Sequence, residues 1–400
     1  MLCQFSFENF KSYREETTFD FQAENLPEFD DTLLRTENGA DLLPVGVLYG
    51  PNGGGKSNLL QAFACLVSLV VKPIVGLEKN RQQGIYQHRI ARAPFMFDSE
   101  SKDAPTAFQI FFRIGKREYQ YYLSLKDEII YEALYWKNLG GKRTGTVFER
   151  DGQKIELGSS ISKANINREV NPKMPYLSFL AINYNIPIIA EVQEWFESCI
   201  LLDYGNTKFE YTMNFFLNGN LDQNIIHALN EMGIDLTGFR FDEEQQRSYT
   251  QRTIGGQVFE LPFQEESEGT KKLLGALPVI LLALNEGRLI VIDELDAKLH
   301  PKLLRYVIML FKNPTINRHG AQLLFTSHDM STMKNTVFRR DEIWFAAEDE
   351  QHQSKIYSLS DIRQEDNTRI KNTAAYDKQY LEGRYGADPY LSNMIGGGWT

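Results

Sequence analysis

The chain has 400 residues, of which 42% are hydrophobic and 24% charged, and its formal net charge is −10. This composition is typical of a soluble globular protein with enough chain for a large core, and no stretch is apolar for long enough to span a membrane. The net negative charge argues against a protein coated by nucleic acid, but it leaves room for a local basic patch. The three cysteines lie far apart without metal-ligand spacing, and the first residues lack a secretion-signal pattern, so we expect a cytoplasmic protein with no membrane partner.

The first predicted element is a β-hairpin near the N-terminus. In "CQFSFENFKSYREETTFDFQ", residues 3–22, apolar and polar residues alternate on both sides of a turn, which is typical of two antiparallel strands. The turn contains "NFKSY", residues 9–13, in which Lys11 and Ser12 supply a positive charge and a hydroxyl. Taken alone, this motif is an ordinary charged turn.

The next element is a short apolar strand that runs into a glycine-rich turn and then a helix. In "VGVLYGPNGGGKSNLL", residues 45–60, Gly50 is followed by four residues and then by Gly55, Lys56 and Ser57, which is the full phosphate-binding pattern of P-loop proteins. The glycines let successive N–H groups point inward at an anion, and the helix N-terminus adds partial positive charge. A glycine-rich loop without a ligand is the alternative, but the placement of the lysine and the serine argues against it.

The loop therefore predicts a site for a nucleoside triphosphate, which we take to be ATP. Lys56 is expected to reach the β- and γ-phosphates, and the Ser57 hydroxyl is expected to bind Mg²⁺. Lys11 and Ser12 are candidates for contact with the same phosphates. The predicted nucleotide-binding residues of the loop are Asn52, Gly53, Gly54, Gly55, Lys56, Ser57 and Asn58.

The remaining elements predict an α/β fold with an inserted middle segment. Strands are expected from about residue 91 to 149, most clearly in "TAFQIFFRIGKREYQYYLSL", and helices follow in "IIAEVQEWFESCILL" and "LDQNIIHALNEMG". Beyond "TIGGQVFELPF", strands and helices alternate again. This order predicts a nucleotide-binding core built from 1–90 and 251–400, with 91–250 inserted as a β-rich and then helical segment. No sustained heptads indicate a coiled-coil arm.

An apolar strand in the C-terminal part ends in two carboxylates. In "RLIVIDELDAKLHP", residues 288–301, Asp293 and Glu294 follow the apolar run. Beside a phosphate loop, such an Asp holds Mg²⁺ and the adjacent Glu polarises the attacking water as a general base. A solvated strand end is an equally good interpretation of the pair in isolation, and the phosphate loop upstream favours the functional one. Ser57 and Asp293 are thus the predicted metal-binding residues.

Two further motifs flank that strand. In "FQEESEGTKKL", residues 263–273, Ser267 and Gly269 indicate a second anion-binding helix start before a helix that opens at about Thr270, and an ordinary capped helix is the alternative. In "QLLFTSHDM", residues 322–330, a buried strand ends close to His328. A histidine at that place suits a γ-phosphate contact, whereas a structural histidine is the alternative.

The ordered set "NFKSY", "GPNGGGKS", "SEGTKKL", "LIVIDELDAKLHP" and "LLFTSHDM" resembles the ATPase head of the ABC superfamily. Within it, the set is most similar to the branch of structural-maintenance-of-chromosomes (SMC) and recombination-repair proteins. The C-terminal "YLEGRYGADPYL", residues 380–391, also resembles small bacterial abortive-infection ATPases, such as the RloA/AbiL family and the ATPase half of PARIS anti-phage systems. Its plain interpretation is a helix end closed by Gly386 and Pro389.

The resemblance implies a site shared by two copies of the chain. In that superfamily two heads pack head to tail, and the signature motif of each caps the γ-phosphate held by the other. Ser267 and Gly269 of one subunit would then face the phosphate loop of the next, with Asp296 at the dimer seam and His328 as the switch histidine. The implied assembly is a homodimer or a larger even-numbered homo-oligomer that hydrolyses ATP slowly with Mg²⁺. The implied catalytic residues are Glu294, His328 and Lys56.

The sequence departs from the superfamily pattern at two places. The superfamily has a glutamine that links Mg²⁺ to the inserted domain, and this sequence has no clear counterpart of it. Asn183 or Asn185 in "LAINYN" is a candidate for that role. The other interpretation is an ordinary asparagine at a helix end. The signature has Glu266 where a leucine usually precedes the serine. The first departure leaves the metal-linking residue open, and the second leaves the affinity of the signature open.

Hydrolysis in such heads opens and closes an interface, so it must be coupled to another component. The main prediction is an ATPase that senses phage infection through a phage-encoded trigger and controls a separate effector, either a nuclease, such as a Toprim-type enzyme, or a toxin. The roughly seventy residues after His328 are too few for a nuclease domain. The alternative is a DNA-repair or recombination ATPase of the SMC branch that closes directly on DNA. The basic stretch at 78–94 would favour this alternative, although a solvated loop also explains that stretch. A transporter ATPase subunit is disfavoured by the hairpin start and the aromatic-rich strands.

Overall fold

The structure, a computed structural model, describes residues 1–75, 92–161, 165–204, 223–242, 244–245, 247–364 and 367–387. The basic stretch at 78–94 lies almost wholly outside these residues, and so does the end of "YLEGRYGADPYL" beyond Ala387. In the described ranges, no helix is both long and apolar enough to cross a membrane.

The strands of the described ranges form three sheets. In chain order they are β1 (Leu2–Glu8), β2 (Thr17–Asp20), β3 (Val45–Tyr49), β4 (Thr106–Ile114), β5 (Arg117–Leu125), β6 (Ile129–Asn138), β7 (Gly145–Asp151), β8 (Lys154–Leu157), β9 (Ile200–Asp203), β10 (Gly238–Asp242), β11 (Arg247–Ile254), β12 (Gln257–Pro262), β13 (Leu289–Asp293), β14 (Gln322–Thr326), β15 (Ile343–Glu348) and β16 (Ser354–Ser358). The helices are α1 (Lys56–Val75), α2 (Ser99–Asp103), α3 (Tyr176–Asn183), α4 (Pro187–Ser198), α5 (Gln223–Glu231), α6 (Glu268–Glu286), α7 (Pro301–Lys312) and α8 (Tyr376–Leu381).

The largest sheet is antiparallel and has the strand order β2-β1-β4-β5-β6-β7-β8. The predicted N-terminal hairpin is confirmed, since β1 pairs with β2 and places Phe5 opposite Phe19. The predicted turn at Gly115 is confirmed as well, because β4 and β5 pair along their whole length on either side of it. The sheet joins strands from both sides of residue 90, so the N-terminal part and the start of the middle segment share one layer. The division at 90 and 250 stays a prediction.

A second sheet carries the phosphate-binding pattern. Its order is β16-β15-β3-β14-β13-β9, and all neighbours in it are parallel except β15 and β16. All five residues of β3 are buried, as its continuous apolar run predicts for a strand covered on both faces. Because parallel strands end at one edge, the turns after β3, β13 and β14 lie side by side.

One segment of the predicted helical region forms a strand instead. The expected helix over "IIAEVQEWFESCILL" ends at Ser198, and Ile200–Asp203 form β9 at the edge of the parallel sheet. Ile200 is buried and pairs with Ile290 of β13. The prediction was wrong here because the apolar residues after Ser198 bury themselves against the sheet edge, a long-range contact that overrides local helical periodicity.

Helix α1 fills the space between the two large sheets. Its Phe63 meets Phe5 of the antiparallel sheet edge to face at 5.3 Å between ring centroids, and the same core contains Leu48 and Leu324 of the parallel sheet. The opposite face of the parallel sheet packs against α6 and α7. The α/β class predicted from the sequence, with its antiparallel N-terminal part and inserted β and helical segment, is confirmed.

The C-terminal motif folds back onto the parallel sheet. Helix α8 ends at Leu381, earlier than the predicted closure at Gly386, and Gly383 has a φ of 72° just after it. Tyr380 stacks on Phe345 of β15 at 5.4 Å, and Tyr385 lies 5.3 Å from the same ring. The two tyrosines are therefore core residues that cover β15, which explains their burial.

Candidate nucleotide-binding site

The turn between β3 and α1 is built from glycines whose backbone or surroundings exclude a side chain. Gly50 has a φ of 145° and Gly55 a φ of 102°, conformations that other residues rarely adopt. A Cβ at Gly50 would lie 2.1 Å from the Ala346 carbonyl oxygen, and a Cβ at Gly55 would lie 2.4 Å from the Ser354 hydroxyl. The loop is thus held tightly against β15 and the start of β16.

Lys56 lies beneath this loop with 6% of its surface exposed. Its ammonium donates to the carbonyl oxygens of Gly50 at 2.8 Å and Pro51 at 3.0 Å, so the third ammonium proton is available to a ligand. Burial lowers the pKa of Lys56 to about 8, against the opposing effect of nearby carboxylates of which Asp293 is the strongest. An anionic ligand would relieve this cost, because it stabilises the charged form of the lysine.

The start of α1 offers further donors to the same place. The first backbone hydrogen bond from this helix back to the loop runs from the Leu59 N–H to the Gly55 carbonyl at 3.1 Å. In this part of the described chain, the N–H groups of Lys56, Ser57 and Asn58 therefore have no backbone carbonyl as a partner, as is usual at the start of a helix. A glycine cradle, free N–H groups and a buried ammonium together fit a polyphosphate.

The "NFKSY" turn lies against α1. Asn58 donates to the Ser12 hydroxyl at 2.8 Å, and Ser354 shares that hydroxyl at 2.7 Å. The Lys11 ammonium donates to the side chain of Gln61, and burial lowers the pKa of Lys11. The structure thus brings Lys11 and Ser12 to the first turns of α1 with protein partners, and their contact with phosphates stays a prediction.

The two carboxylates that end β13 are held by a residue of the neighbouring strand. The Thr326 hydroxyl, at the end of β14, donates to Asp293 at 2.6 Å and accepts from the Glu294 N–H at 2.8 Å. Glu294 has a φ of 53°, a left-handed conformation that is strained for a residue with a side chain and needs support from its surroundings. One threonine therefore fixes both the predicted metal-binding residue and the predicted base.

Asp296 and His328 meet at the same edge. The His328 N–H donates to one Asp296 oxygen at 3.0 Å, while the other oxygen, Oδ1, is buried and has no partner among the described residues. Burial and, after it, the nearby Lys56 ammonium lower the pKa of His328, with the carboxylates of Asp296, Glu294 and Asp293 opposing them. The imidazole is thus neutral at neutral pH and able to accept or donate one hydrogen bond.

The signature residues start α6. This helix begins at Glu268, two residues before the predicted opening at Thr270, and Ser267 is its N-cap, accepting from the Thr270 N–H at 3.1 Å. A Cβ at Gly269 would lie 3.0 Å from the Lys298 carbonyl, so the signature packs beside the segment that contains Asp296. No hydrogen bond in the described ranges joins Ser267 to its own phosphate loop. The contact with a second subunit stays a prediction.

Glu266, which departs from the usual signature pattern, has a structural role. Its buried carboxylate accepts two bonds from Arg252 at 2.7 and 3.1 Å and one from Thr250 at 2.5 Å. Although burial acts to raise the pKa of Glu266, these hydrogen bonds lower it overall. The glutamate thus ties the start of α6 to β11, where an apolar residue would have packed.

Two contributors to the site lie within the quoted motifs but were not predicted as site residues. Thr326 is one, and the signal for it is its place as the last residue of a buried strand beside the Asp-Glu strand. Tyr13 is another, since its buried hydroxyl donates to the Gly55 carbonyl at 3.2 Å.

Asn183 donates to the Phe179 carbonyl of its own helix at 2.8 Å, as the helix-end interpretation expects.

Replacing Thr326 tests the positioning role directly. We expect Thr326→Val to lower kcat roughly tenfold or more with little change in ATP affinity, because it leaves the Asp293 carboxylate and the Glu294 N–H unpaired. Thr326→Ser keeps the hydroxyl and should restore most of the rate. Steady-state hydrolysis and ATP titration of the two variants provide the measurement, and a serine variant as slow as the valine variant would contradict the role.

The residues present fit a Mg²⁺ ion that is held together with a nucleotide. Within the described ranges, no group of three or more His, Cys, Asp or Glu side chains is arranged to hold a metal by itself. Ser57 is the second residue of α1, next to the buried Lys56, and Asp293 ends β13. One hydroxyl and one carboxylate, completed by phosphates and water, is a usual donor set for Mg²⁺ in proteins.

Comparison with known proteins identifies a family and a number of similar solved structures. The model of the family described as "AAA domain, putative AbiEii toxin, Type IV TA system" matches residues 46–334. No curated protein matches the sequence significantly. The crystal structure of the SmcHead bound to the C-winged helix domain of ScpA is 12% identical with a TM-score of 0.44, over 89% of this chain and 97% of that chain. The structure of cbiO1 from Clostridium perfringens, part of the ABC transporter complex cbiONQ, is 17% identical with a TM-score of 0.23, over 47% of this chain and 65% of that chain.

Proposed function

This chain belongs to the family described as "AAA domain, putative AbiEii toxin, Type IV TA system", and from that premise we propose that it is a Mg²⁺-dependent ATPase that controls a separate effector protein in bacterial defence. The observation that carries the ATPase proposal is the edge of the parallel sheet. There the buried Lys56 lies near Asp293 and Glu294, and Thr326 donates to the Asp293 carboxylate and accepts from the Glu294 N–H.

Binding of ATP begins with the loop and its lysine. The free N–H groups at the start of α1 and the Lys56 ammonium bind the phosphates, and the ammonium exchanges its bonds to the loop carbonyls for bonds to phosphate oxygen. Ser57 and Asp293 would hold Mg²⁺, which would neutralise charge on the phosphates. The glycines let the loop turn tightly against β15 and β16 because no Cβ collides with Ala346 or Ser354.

Hydrolysis needs a base near the γ-phosphate, and Glu294 is the residue for that step. It follows Asp293 directly, and its left-handed backbone is held by the bond from its N–H to Thr326. The Glu294 carboxylate accepts a proton from the attacking water, and the neutral His328 next to Asp296 bonds a phosphate oxygen. Lys56 stabilises the charge that develops on the leaving phosphate.

A second subunit completes the site in this proposal. Ser267 lies exposed at the start of α6, beside the segment of Asp296 and Lys298, and its helix N-terminus suits the γ-phosphate of a neighbouring copy. The buried Oδ1 of Asp296, which has no partner in the described structure, is an acceptor that a second chain could satisfy. Head-to-tail packing of two copies would bury Ser267.

A role in defence is supported by the family description, which names a toxin and a toxin–antitoxin system. We propose that ATP binding holds two copies together and that loss of phosphate releases them, so that the state of the dimer determines whether the effector acts. The trigger in this proposal is a phage product. The basic stretch on which direct DNA binding would rest lies almost wholly outside the described residues, and no described contact favours that alternative.

Cells that carry this gene with its genomic neighbour are expected to resist infection by some phages. Lys56→Ala and Glu294→Gln should each remove the resistance, because the first removes the charge that binds phosphate and the second removes the base. The measurement is plaque formation on cells with the gene pair, with either gene alone and with each variant. Full protection by this gene without its neighbour would contradict a separate effector, and full protection by both variants would contradict a role for ATP.

A further inference from the structure

An exposed aromatic side chain lies beside the phosphate loop. Phe97 is 72% exposed, the highest value among the large apolar residues of the described ranges, and its neighbour Met96 is 57% exposed. The ring of Phe97 lies 5.4 Å from the imidazole of His352, with an angle of 43° between the two planes.

This ring pair is linked to the loop through one carboxylate. His352 is hydrogen-bonded to Glu348, the last residue of β15. A Cβ built on Gly53 of the loop would have the Glu348 carboxylate at 3.8 Å and no nearer atom. Glu348 therefore links Gly53 of the loop to the pair of His352 and Phe97.

The segment that carries Phe97 is held firmly. The Phe95 N–H donates to the Asn9 side chain at 2.9 Å, and the Lys11 N–H donates to the Ala93 carbonyl at 2.6 Å. Asn9 also donates to the Ser101 carbonyl at 2.8 Å. The backbone around Phe97 is thus fixed by hydrogen bonds, and the exposure of Phe97 does not come from an unanchored loop.

The chemistry of Glu348, His352 and Phe97 favours contact with a nucleotide base and disfavours contact with a phosphate. A carboxylate at Glu348 repels phosphate but accepts from an amino or hydroxyl group. An aromatic ring with one free face binds another flat ring by stacking. We propose that Phe97, backed by His352, is the platform on which the purine base of the bound nucleotide stacks. This inference rests on the proposed function, since the triphosphate of the same nucleotide occupies the loop.

Two ligands separate the base from the phosphates in the test. Isothermal titration of the full chain with ATP and with inorganic tripolyphosphate, each with Mg²⁺, gives the two affinities. Phe97→Ala should weaken ATP binding roughly tenfold and leave tripolyphosphate binding unchanged, because stacking contributes only when a base is present. Phe97→Trp, which keeps an aromatic face, should retain the ATP affinity. Phe259→Ala is the matched control, since Phe259 is 50% exposed on β12, and it should change neither affinity.

Two results would overturn the platform while leaving the phosphate site intact. One is an ATP affinity that Phe97→Ala leaves unchanged. The other is an equal loss for ATP and tripolyphosphate, which would mean that the variant distorts the loop. A parent chain that binds neither ligand would overturn both this inference and the proposed function.

Discussion

Glu294→Gln is expected to bind ATP as tightly as the parent chain, to lose turnover and to accumulate as an ATP-bound dimer. The amide keeps the size of the side chain and its place beside Asp293, but it cannot accept the proton of the attacking water. Loss of a general base typically lowers kcat roughly 100- to 10,000-fold. Because phosphate and metal contacts stay intact, the closed state persists instead of being released by hydrolysis.

Phosphate release and size-exclusion chromatography with ATP measure the two parts of this expectation. Glu286→Gln provides a matched control, since Glu286 ends α6 in a partly exposed pair with Arg288 and its neutralisation should leave the rate unchanged. Hydrolysis by Glu294→Gln at the parent rate would show that another group accepts the proton. Turnover that is lost together with ATP binding would show that Glu294 has a structural role.

The strands and the helix that carry the site were predicted correctly because they are encoded locally. The phosphate-binding pattern needs only the residues from Gly50 to Ser57, and β3 and α1 follow from apolar periodicity on either side. The strands that end at Asp293 and Thr326 were likewise evident from short apolar runs. Their shared edge follows from the rule that parallel strands end together.

The parts that the sequence could not predict depend on contacts between distant segments. Thr326 reads as an ordinary strand residue until β14 pairs with β13 and brings its hydroxyl to Asp293. Glu266 reads as a defect in the signature until Arg252 is placed beside it. The strand β9 was taken for the end of a helix because its apolar run fits both periodicities, and only the free edge of the sheet decides between them.

The family match supports the resemblance of this chain to ATPase heads through its AAA domain. The family match spans residues 46–334, which include every predicted site residue except Lys11 and Ser12. The narrower likeness to RloA/AbiL and PARIS ATPases rests on "YLEGRYGADPYL". In the described part of that motif, Tyr380 and Tyr385 act as core residues over β15, a role that requires no particular function.

Two inactive variants are expected to restore each other's activity if the site is shared. Lys56→Ala should abolish tight ATP binding, because the buried ammonium supplies the charge that faces the phosphates. Ser267→Arg should leave ATP binding to the single subunit intact but block hydrolysis, because its long cationic side chain obstructs the surface that faces the neighbouring phosphate. The hydrolysis rate of each variant alone should fall to background. This is the largest loss of rate that we expect for any substitution other than that of the general base.

The mixture of these two variants is the measurement that tests the shared site most directly. A mixed dimer combines the intact loop of the Ser267→Arg chain with the intact signature of the Lys56→Ala chain, and its other site carries both defects. With equal amounts and free exchange, half of the dimers are mixed and each has one working site, so about a quarter of the parent rate should return. Differently tagged chains establish that exchange has occurred. No recovery at any ratio, with exchange established by co-purification of the two tags, would contradict a site built from two copies.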